Sequence, residues 1–268
     1  MKRILLTNDD GYQSPGLLAL KESLSTLGHL MIVAPASEKS ACGHGMTLTR
    51  PLRFVKLEDD FYKLEDGSPT DCIYLALNAL YQEGFMPDLI VSGINIGSNM
   101  GEDISYSGTA SAAMEGVLHG IPSIAISQVL RDKNHFGFDF ALAKQSIYKL
   151  AKAILENAYP LQAREFLNVN IPQLPPKDCK GFKITELGIR TYGNDAHVHR
   201  NPRGEEYYWL GLHPLAWNER ENNETSDFEA TKNGYVSITP ITLDFTARNR
   251  LRTLENWVNA NLENGGLA

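Results

Sequence analysis

The chain begins with an apolar run that ends in two adjacent carboxylates, Arg3-Ile4-Leu5-Leu6-Thr7-Asn8-Asp9-Asp10-Gly11. The apolar residues predict a strand that is buried on both faces of a parallel sheet. Ligand sites in such sheets lie beyond the carboxyl ends of the strands, where Asp9 and Asp10 would stand. Two like charges about 4 Å apart repel by roughly 4 kcal/mol at an effective dielectric near 20. A bound divalent cation would turn that repulsion into attraction, although Asp-Gly is also a common turn signal.

The residues after this loop favour a strand, loop and helix unit over a hairpin. Leu17, Leu20, Leu24 and Leu27 recur at helical spacing. Strand and helix patterns then alternate through the first half of the chain. We predict strands at 3–7, 30–34, 89–92 and 123–127, and helices at about 16–27, 69–81, 109–118 and 138–157. Alternation of this kind predicts a parallel, doubly wound α/β sheet.

The pattern changes after residue 172, where shorter strands and polar stretches begin. Residues 235–240 resemble a late strand, and the segment from 243 to about 262 carries one apolar stripe at helical spacing. That stripe, which includes Leu254 and Trp257, needs a partner surface. We therefore expect an α/β domain over 1–242 and a C-terminal helical extension over 243–268 that contacts a neighbouring subunit.

Composition limits the classes of function. The 268 residues, of which 43% are hydrophobic, can bury a full core, and the formal net charge of −7 argues against binding to a nucleic-acid polymer. No apolar run approaches the roughly 18 residues that span a bilayer, and no signal-peptide pattern is evident. We expect a cytoplasmic protein that has neither a membrane nor a nucleic-acid polymer as partner.

A candidate anion site lies at Tyr106-Ser107-Gly108-Thr109, which leads into the helix predicted at 109–118. A helix N-terminus offers unpaired N–H groups and the positive end of the helix dipole, and Ser107 and Thr109 add hydroxyl groups. Simple N-capping by either hydroxyl is the alternative. The motifs GxxxxGK[ST] and GxGxxG do not occur in the chain, which argues against P-loop and dinucleotide-binding proteins.

Two further residues are candidates on weaker grounds. Asn95 follows the strand at 89–92 and could give a neutral oxygen ligand to a hard cation, or it could form an Asx-turn. His44 lies in a loop of small residues and could contact the substrate or assist a leaving group, or it could be an ordinary surface residue.

Taken in order, these motifs resemble the survival protein SurE family of metal-dependent nucleotidases. The matching segments span most of the chain: Thr7-Asn8-Asp9-Asp10-Gly11, Ala34-Pro35 followed by Ser40, Pro87-Asp88-Leu89 with Ser92-Gly93-Ile94-Asn95, Tyr106-Ser107-Gly108-Thr109, Leu167-Asn168-Val169-Asn170, and Gly234-Tyr235-Val236-Ser237-Ile238-Thr239-Pro240.

The resemblance implies a Rossmann-like, three-layer α/β/α fold that has a mostly parallel sheet and a C-terminal extension. It also implies assembly into a homodimer or homotetramer. The implied activity is hydrolysis of nucleoside 5′- and 3′-monophosphates to nucleoside and phosphate, with short-chain polyphosphate as a further substrate of some members.

The resemblance also implies the residues of the site. One divalent cation per subunit, Mg²⁺ or Mn²⁺, would be held by Asp9, Asp10, Ser40 and Asn95. The phosphate would lie near Ser107, Gly108 and Thr109, with Asn99 close by. His44 is expected as a further substrate contact because of its loop alone, not because of the resemblance. Asp9, Asn99 and Ser107 are the residues expected to be catalytic, and the sequence leaves open whether Asp9 is a ligand only or also a base or nucleophile.

Two other interpretations of the carboxylate pair remain. A phosphatase that forms an aspartyl-phosphate usually ends its first strand in Asp-x-Asp, and Asn8 at the first of those positions argues against it. A receiver-like, Mg²⁺-binding regulatory module without phosphatase activity also has adjacent acids after its first strand, but such modules are about half this length. We therefore expect a phosphomonoesterase.

Overall fold

The computed structural model describes residues 1–81, 85–130, 139–191, 196–210, 216–218 and 225–262. The strands in these ranges are β1 Arg3–Thr7, β2 His29–Pro35, β3 Arg53–Glu58, β4 Phe61–Glu65, β5 Leu89–Ile96, β6 Ser123–Gln128, β7 Glu165–Ile171, β8 Phe182–Ile184, β9 Ile189–Arg190, β10 Ala196–Arg200, β11 Glu206–Leu210, β12 Trp217–Asn218 and β13 Val236–Thr242. The α-helices in these ranges are α1 Pro15–Leu24, α2 Pro69–Leu75, α3 Gly108–Leu118, α4 Ala141–Glu156, α5 Asp227–Lys232 and α6 Leu251–Asn261.

The centre of the fold is a nine-stranded sheet in the order β3-β4-β2-β1-β5-β6-β7-β13-β8. The strands from β4 to β7 are parallel to one another. β3 runs antiparallel to β4, and β13 runs antiparallel to β7. The predicted α/β class with a mostly parallel sheet is therefore confirmed.

Helices cover both faces of the sheet and complete the three layers. α1 packs with α4 on one face, and α2 packs with α3 on the other. The alternation of β1 shows why its sequence is apolar throughout: Ile4 and Leu6 belong to the core under α1 and α4, whereas Leu5 belongs to the core under α2. The prediction that this strand is buried on both faces is confirmed.

The topology places a crevice at the carboxyl end of β1. This strand pairs with β2 on one side and with β5 on the other, so the chain leaves β1 where the order of the strands reverses. Ligands of open α/β sheets bind at such switch points. Asp9 and Asp10 are the second and third residues after β1 and therefore lie at this crevice.

Several boundaries differ from those predicted. The first helix ends at Leu24 instead of 27, and the helix predicted at 69–81 consists of α2 followed by a π-helical turn at Ala76–Leu80. α4 begins at Ala141, and residue 138, where its start was predicted, lies outside the described residues. The helix predicted from 243 begins only at Leu251, and residues 263–268 of the predicted extension also lie outside the described residues.

Strands β3 and β4 were not predicted. They lie at one edge of the sheet, and most residues of β3 are exposed or half-buried. Both strands mix charged residues with apolar and aromatic ones, Arg53-Phe54-Val55-Lys56-Leu57-Glu58 and Phe61-Tyr62-Lys63-Leu64-Glu65, without a strict alternation. They therefore lack the continuous apolar runs by which the central strands were predicted.

Two elements in the last third of the chain are exposed. Every strand residue of the antiparallel β10–β11 hairpin is exposed, and in α6 all residues except Val258 are exposed. Among the helices that the structure describes, none combines the length and the apolar character needed to cross a membrane.

Candidate active site

Asp9, in the loop after β1, lies against the N-terminal end of α3. Its side chain is buried, and its Oδ1 accepts a hydrogen bond of 2.5 Å from the hydroxyl of Thr109. A Cβ atom at residue 108 would stand 2.7 Å from Cβ of Asp9, so the close approach of the loop and the helix requires glycine at that position. The structure thus brings Asp9, Gly108 and Thr109 together.

Asp10 faces the end of β5. Its Oδ2 accepts a hydrogen bond of 3.3 Å from the N–H of Ile96, the residue after Asn95. Asp10 is half-buried, whereas Asp9 is only 3% exposed. The two neighbouring carboxylates therefore reach different elements, α3 and β5, from a single loop.

The surroundings of both carboxylates disfavour negative charge. Burial raises the pKa of Asp9, and the hydrogen bonds from Thr109 and from the backbone at the start of α3 offset this only in part. Burial, followed by the charge of Asp9, raises the pKa of Asp10 to about 6. A cation between the two carboxylates would favour the ionised form of both.

Ser40 lies on the loop after β2, and Asn95 is the second-last residue of β5. The N–H of Lys39, the residue before Ser40, donates to the backbone oxygen of Asp9 at 2.7 Å. The hydroxyl of Ser40 donates to Glu38 at 2.7 Å, and the side-chain amide of Asn95 donates to the backbone oxygen of Gly97 at 3.0 Å. Both bonds use the donor side of the group, so the oxygen lone pairs of Ser40 and Asn95 stay available to a cation.

The chemistry of these four side chains fits a hard cation. All four offer oxygen, which is the ligand atom that Mg²⁺ prefers, and two of them are carboxylates whose hydrogen bonds offset the effect of burial only in part. Within the described ranges, no three side chains of His, Cys, Asp or Glu converge as a metal-binding group. A cation at this place would therefore depend on the neutral oxygens of Ser40 and Asn95 in addition to the two acids.

Ser107 is the N-cap of α3. Its hydroxyl oxygen accepts a hydrogen bond of 3.0 Å from the N–H of Ala110, which is the capping geometry. The hydroxyl proton of Thr109 is donated to Asp9. In this structure the hydroxyls of Ser107 and Thr109 thus serve the helix and the carboxylate, and their contact with phosphate stays a prediction.

Asn99 is held by hydrogen bonds on three sides. Its N–H donates to Oδ1 of Asn170 at 2.9 Å, and its side-chain amide donates to the hydroxyl of Ser127 at 2.8 Å. Its backbone oxygen accepts from the amides of Asn168 and Asn170, at 2.8 and 3.0 Å. Within the described residues, no hydrogen bond joins Asn99 to Asp9 or Asp10, so its place near a substrate stays a prediction.

His44 contacts a buried acid that sequence reasoning missed. Its Nε2 lies 2.9 Å from Oε2 of Glu115, a residue of α3 that is only 5% exposed. The loop of His44 is joined to the start of α3 because the N–H of Gly43 donates to the backbone oxygen of Tyr106 at 3.0 Å. The structure therefore places His44 along α3, but it does not bring the ring into contact with the carboxylate pair.

The polar residues on β6 and β7 were also missed as parts of the site. Ser127, Asn168 and Asn170 are fully buried in neighbouring strands of the sheet. A signal existed, because Leu167-Asn168-Val169-Asn170 alternates amide and apolar side chains within a strand whose neighbours are apolar. Buried amides require hydrogen-bond partners, and here both amide nitrogens and Oδ1 of Asn170 find theirs in the loop after β5, whereas Oδ1 of Asn168 has none among the described residues.

Comparison with known proteins agrees with the fold. The family model described as Survival protein SurE matches residues 4–194 of this chain. A protein of Wolinella succinogenes named 5′-nucleotidase SurE is 68% identical over 258 residues, which cover 96% of this chain and 100% of that protein. One of the same name from Helicobacter hepaticus is 63% identical over 262 residues, which cover 96% of this chain and 99% of that protein.

A solved structure is similar over nearly the whole molecule. The crystal structure of the SurE protein from Aquifex aeolicus has a TM-score of 0.82 and 40% identity, and the match covers 95% of this chain and 99% of that chain. The family-model match at residues 4–194 includes the carboxylate pair, the start of α3 and the strands that carry the buried amides. The family model, the sequence relatives and the fold agree, and the chain belongs to the SurE family.

Proposed function

We propose that this chain is a divalent-metal-dependent nucleotidase that hydrolyses nucleoside 5′- and 3′-monophosphates to nucleoside and phosphate. The observation that carries this proposal is the pair Asp9 and Asp10 at the switch point, next to the N-terminus of α3. Relatives that are 63 and 68% identical are named 5′-nucleotidase, which supports the phosphomonoesterase class. Short-chain polyphosphate is a further candidate substrate.

In this proposal Asp9, Asp10, Ser40 and Asn95 hold one Mg²⁺ or Mn²⁺ per subunit. When bound, the cation would neutralise charge on the phosphoryl oxygens and lower the pKa of a water molecule. The other residues bind and orient the substrate. The N-terminus of α3, at Ser107, Gly108 and Thr109, faces the phosphate with the positive end of its dipole.

Catalysis of phosphoryl transfer depends chiefly on positioning the reactants and stabilising charge, and in this proposal the residues of the site do both. Asn99, held rigidly by its neighbours, would fix one side of the phosphate. His44 would contact the nucleoside from the loop that lies along α3. Thr109 keeps Asp9 in place through its hydroxyl, whatever further role Asp9 has as base or nucleophile.

The decisive experiment measures release of phosphate from nucleoside 5′- and 3′-monophosphates with Mg²⁺, with Mn²⁺ and with chelator. We expect hydrolysis that requires the metal and that falls by at least about a hundredfold in Asp9→Asn. Asp59→Asn, which removes an exposed carboxylate from a distant turn, is the matched control and should keep the parent rate. A parent protein that binds the metal but hydrolyses no phosphomonoester would instead support the receiver-like module.

The proposed assembly is a homodimer or homotetramer built in part by the segment after 242. The exposed apolar residues of α6 support it, because Leu251, Leu254 and Trp257 are each more than half exposed. A helix that leaves such a stripe uncovered in one subunit needs a surface of another to bury it.

A further inference from the structure

The buried amides of β7 hold the backbone of one loop residue, Asn99, from both sides. Asn170 accepts a hydrogen bond from the N–H of Asn99 at 2.9 Å and donates one to its backbone oxygen at 3.0 Å. Asn168 donates a second bond to the same oxygen at 2.8 Å. One residue of the loop after β5 is thus fixed by three hydrogen bonds to a strand that is not its neighbour in the sheet.

These bonds set the position of Asn99 more tightly than a loop usually allows. Asn168 and Asn170 are two residues apart on β7, so their side chains point to the same face of the sheet. Both are fully buried, and both belong to a strand that is paired on each side, with β6 and with β13. The groups that hold Asn99 are therefore themselves held by the centre of the sheet.

The side chain of Asn99 is fixed as well. Its amide donates to Ser127 at 2.8 Å, and Ser127 is the partner of Asn170 in the register of β6 and β7. The backbone and the side chain of Asn99 are therefore both oriented by two adjacent strands. This is the support expected behind a group that must be held within a fraction of an ångström of its productive position.

We propose that Asn170, assisted by Asn168, is a positioning residue that acts on the reaction through Asn99. The proposal rests on the proposed function, in which Asn99 contacts the phosphate. Asn170 would touch neither substrate nor metal. Its effect would come from the geometry of Asn99, and a displacement of about 1 Å at such a group can cost about a hundredfold in rate.

The test is a double-mutant cycle on Asn99→Ala and Asn170→Ala, with nucleoside monophosphate and saturating Mn²⁺. We expect each single variant to lower kcat by about ten- to hundredfold. Because Asn99→Ala has already removed the side chain that Asn170 positions, the double variant should match Asn99→Ala within about twofold. Multiplied losses in the double variant would overturn the proposal, as would a parent-like Asn170→Ala beside an impaired Asn99→Ala.

Two further variants separate positioning from simple stability. Thr239→Val removes a buried hydroxyl on β13, next to Asn168 in the register, that bonds Thr185 and not Asn99. It should lower the melting temperature and keep the parent kcat. Asn168→Ala leaves both bonds of Asn170 in place, so it should show a smaller loss and carry the same cycle if Asn170→Ala does not fold.

The outcome also distinguishes this proposal from the function on which it rests. An inactive parent protein would refute the nucleotidase itself. An active parent with a parent-like Asn99→Ala would refute the role of Asn99 and, with it, the role of Asn170. Only an impaired Asn99→Ala with an additive or silent Asn170→Ala refutes the positioning role alone.

Discussion

At Asp10, the requirements of metal binding and of folding stability oppose each other. Burial and the charge of Asp9 raise its pKa to about 6, so its ionised form is disfavoured in the folded protein without a cation. We predict that Asp10→Asn abolishes metal-dependent hydrolysis yet melts at the parent temperature or a few degrees above it in chelator. Melting curves in chelator and in Mn²⁺, with Asp59→Asn beside them, measure both effects.

The contrary result for Asp10 has a clear physical meaning. If Asp10→Asn melted below the parent in chelator, the hydrogen bond from the N–H of Ile96 would outweigh the repulsion by Asp9. The carboxylate would then be part of the scaffold, and loss of activity in the variant would not identify a ligand.

Asp227 is a second buried acid, away from the carboxylate pair. It accepts hydrogen bonds of 2.9 Å from the N–H groups of Gly101, Gly188 and Phe228, and it joins the loop after Asn99 to α5. Burial is the largest influence and raises its pKa from 3.8 to about 6. The folded protein therefore binds this proton more tightly than the unfolded chain does.

The raised pKa of Asp227 predicts a loss of stability as the pH rises. The stabilising effect of its proton is fully present below about pH 4 and disappears as the pH rises through about 6. Relative to Asp227→Asn, which stays neutral, the parent should lose about 2 kcal/mol of unfolding free energy between pH 4 and 7. Urea denaturation at a series of pH values measures this difference, and parallel profiles for the two proteins would contradict it.

At the scale of elements, the open question for α3 is the role of its N-cap residue: Ser107 is a helix cap, a phosphate ligand or both. Its hydroxyl accepts from the N–H of Ala110, so Ser107→Ala should cost about 1 kcal/mol of unfolding free energy. Ser107→Asp keeps a capping oxygen but adds negative charge beside the phosphate. We predict that Ser107→Asp restores stability in urea denaturation while inhibition by inorganic phosphate weakens at least about tenfold.

Inhibition by phosphate decides between the two roles of Ser107. Ser226, which caps α5 with the same geometry, provides the matched control as Ser226→Ala. That variant should lose comparable stability and keep the parent inhibition constant. Unchanged phosphate inhibition in Ser107→Asp would show that Ser107 acts only as a helix cap.

The elements that sequence patterns predicted are those that are buried along nearly their whole length. β1 and β5 are apolar on both faces, and α3 begins within one residue of its predicted start, at Gly108. The edge strand β3 was missed because it is half-exposed and charged. The sequence also identified Asp9, Gly108 and Thr109 as candidates, and the structure brings these three together.

What the sequence could not show is which polar groups already have partners. The hydroxyl of Thr109 was available to phosphate in principle, and only the fold shows that it donates to Asp9. Glu115 lies about 70 residues beyond His44, so their contact depends on how α3 packs against the loop. The three bonds from β7 to Asn99 depend on strand order and register in the same way.

For the whole molecule, the apolar stripe of α6 predicts assembly. Truncation after Thr242 should lower the mass measured by sedimentation equilibrium, because it removes the stripe that a neighbouring subunit would bury. Leu254→Lys combined with Trp257→Lys should do the same in the full chain. Asn256→Lys combined with Asn259→Lys adds equal charge away from the stripe and should leave the mass unchanged, whereas a parent that sediments as a compact monomer would refute the prediction.

The exposed β10–β11 hairpin offers a place at which the chain could be cut into two fragments. Its tip carries Arg203, an exposed residue at which trypsin could cut. Every candidate site residue would then lie on the first fragment, whereas the second fragment would supply β13, the strand between β7 and β8. Since β13 pairs directly with the strand that holds Asn99, the two fragments would behave as a split enzyme, in which phosphate release reports their reassociation.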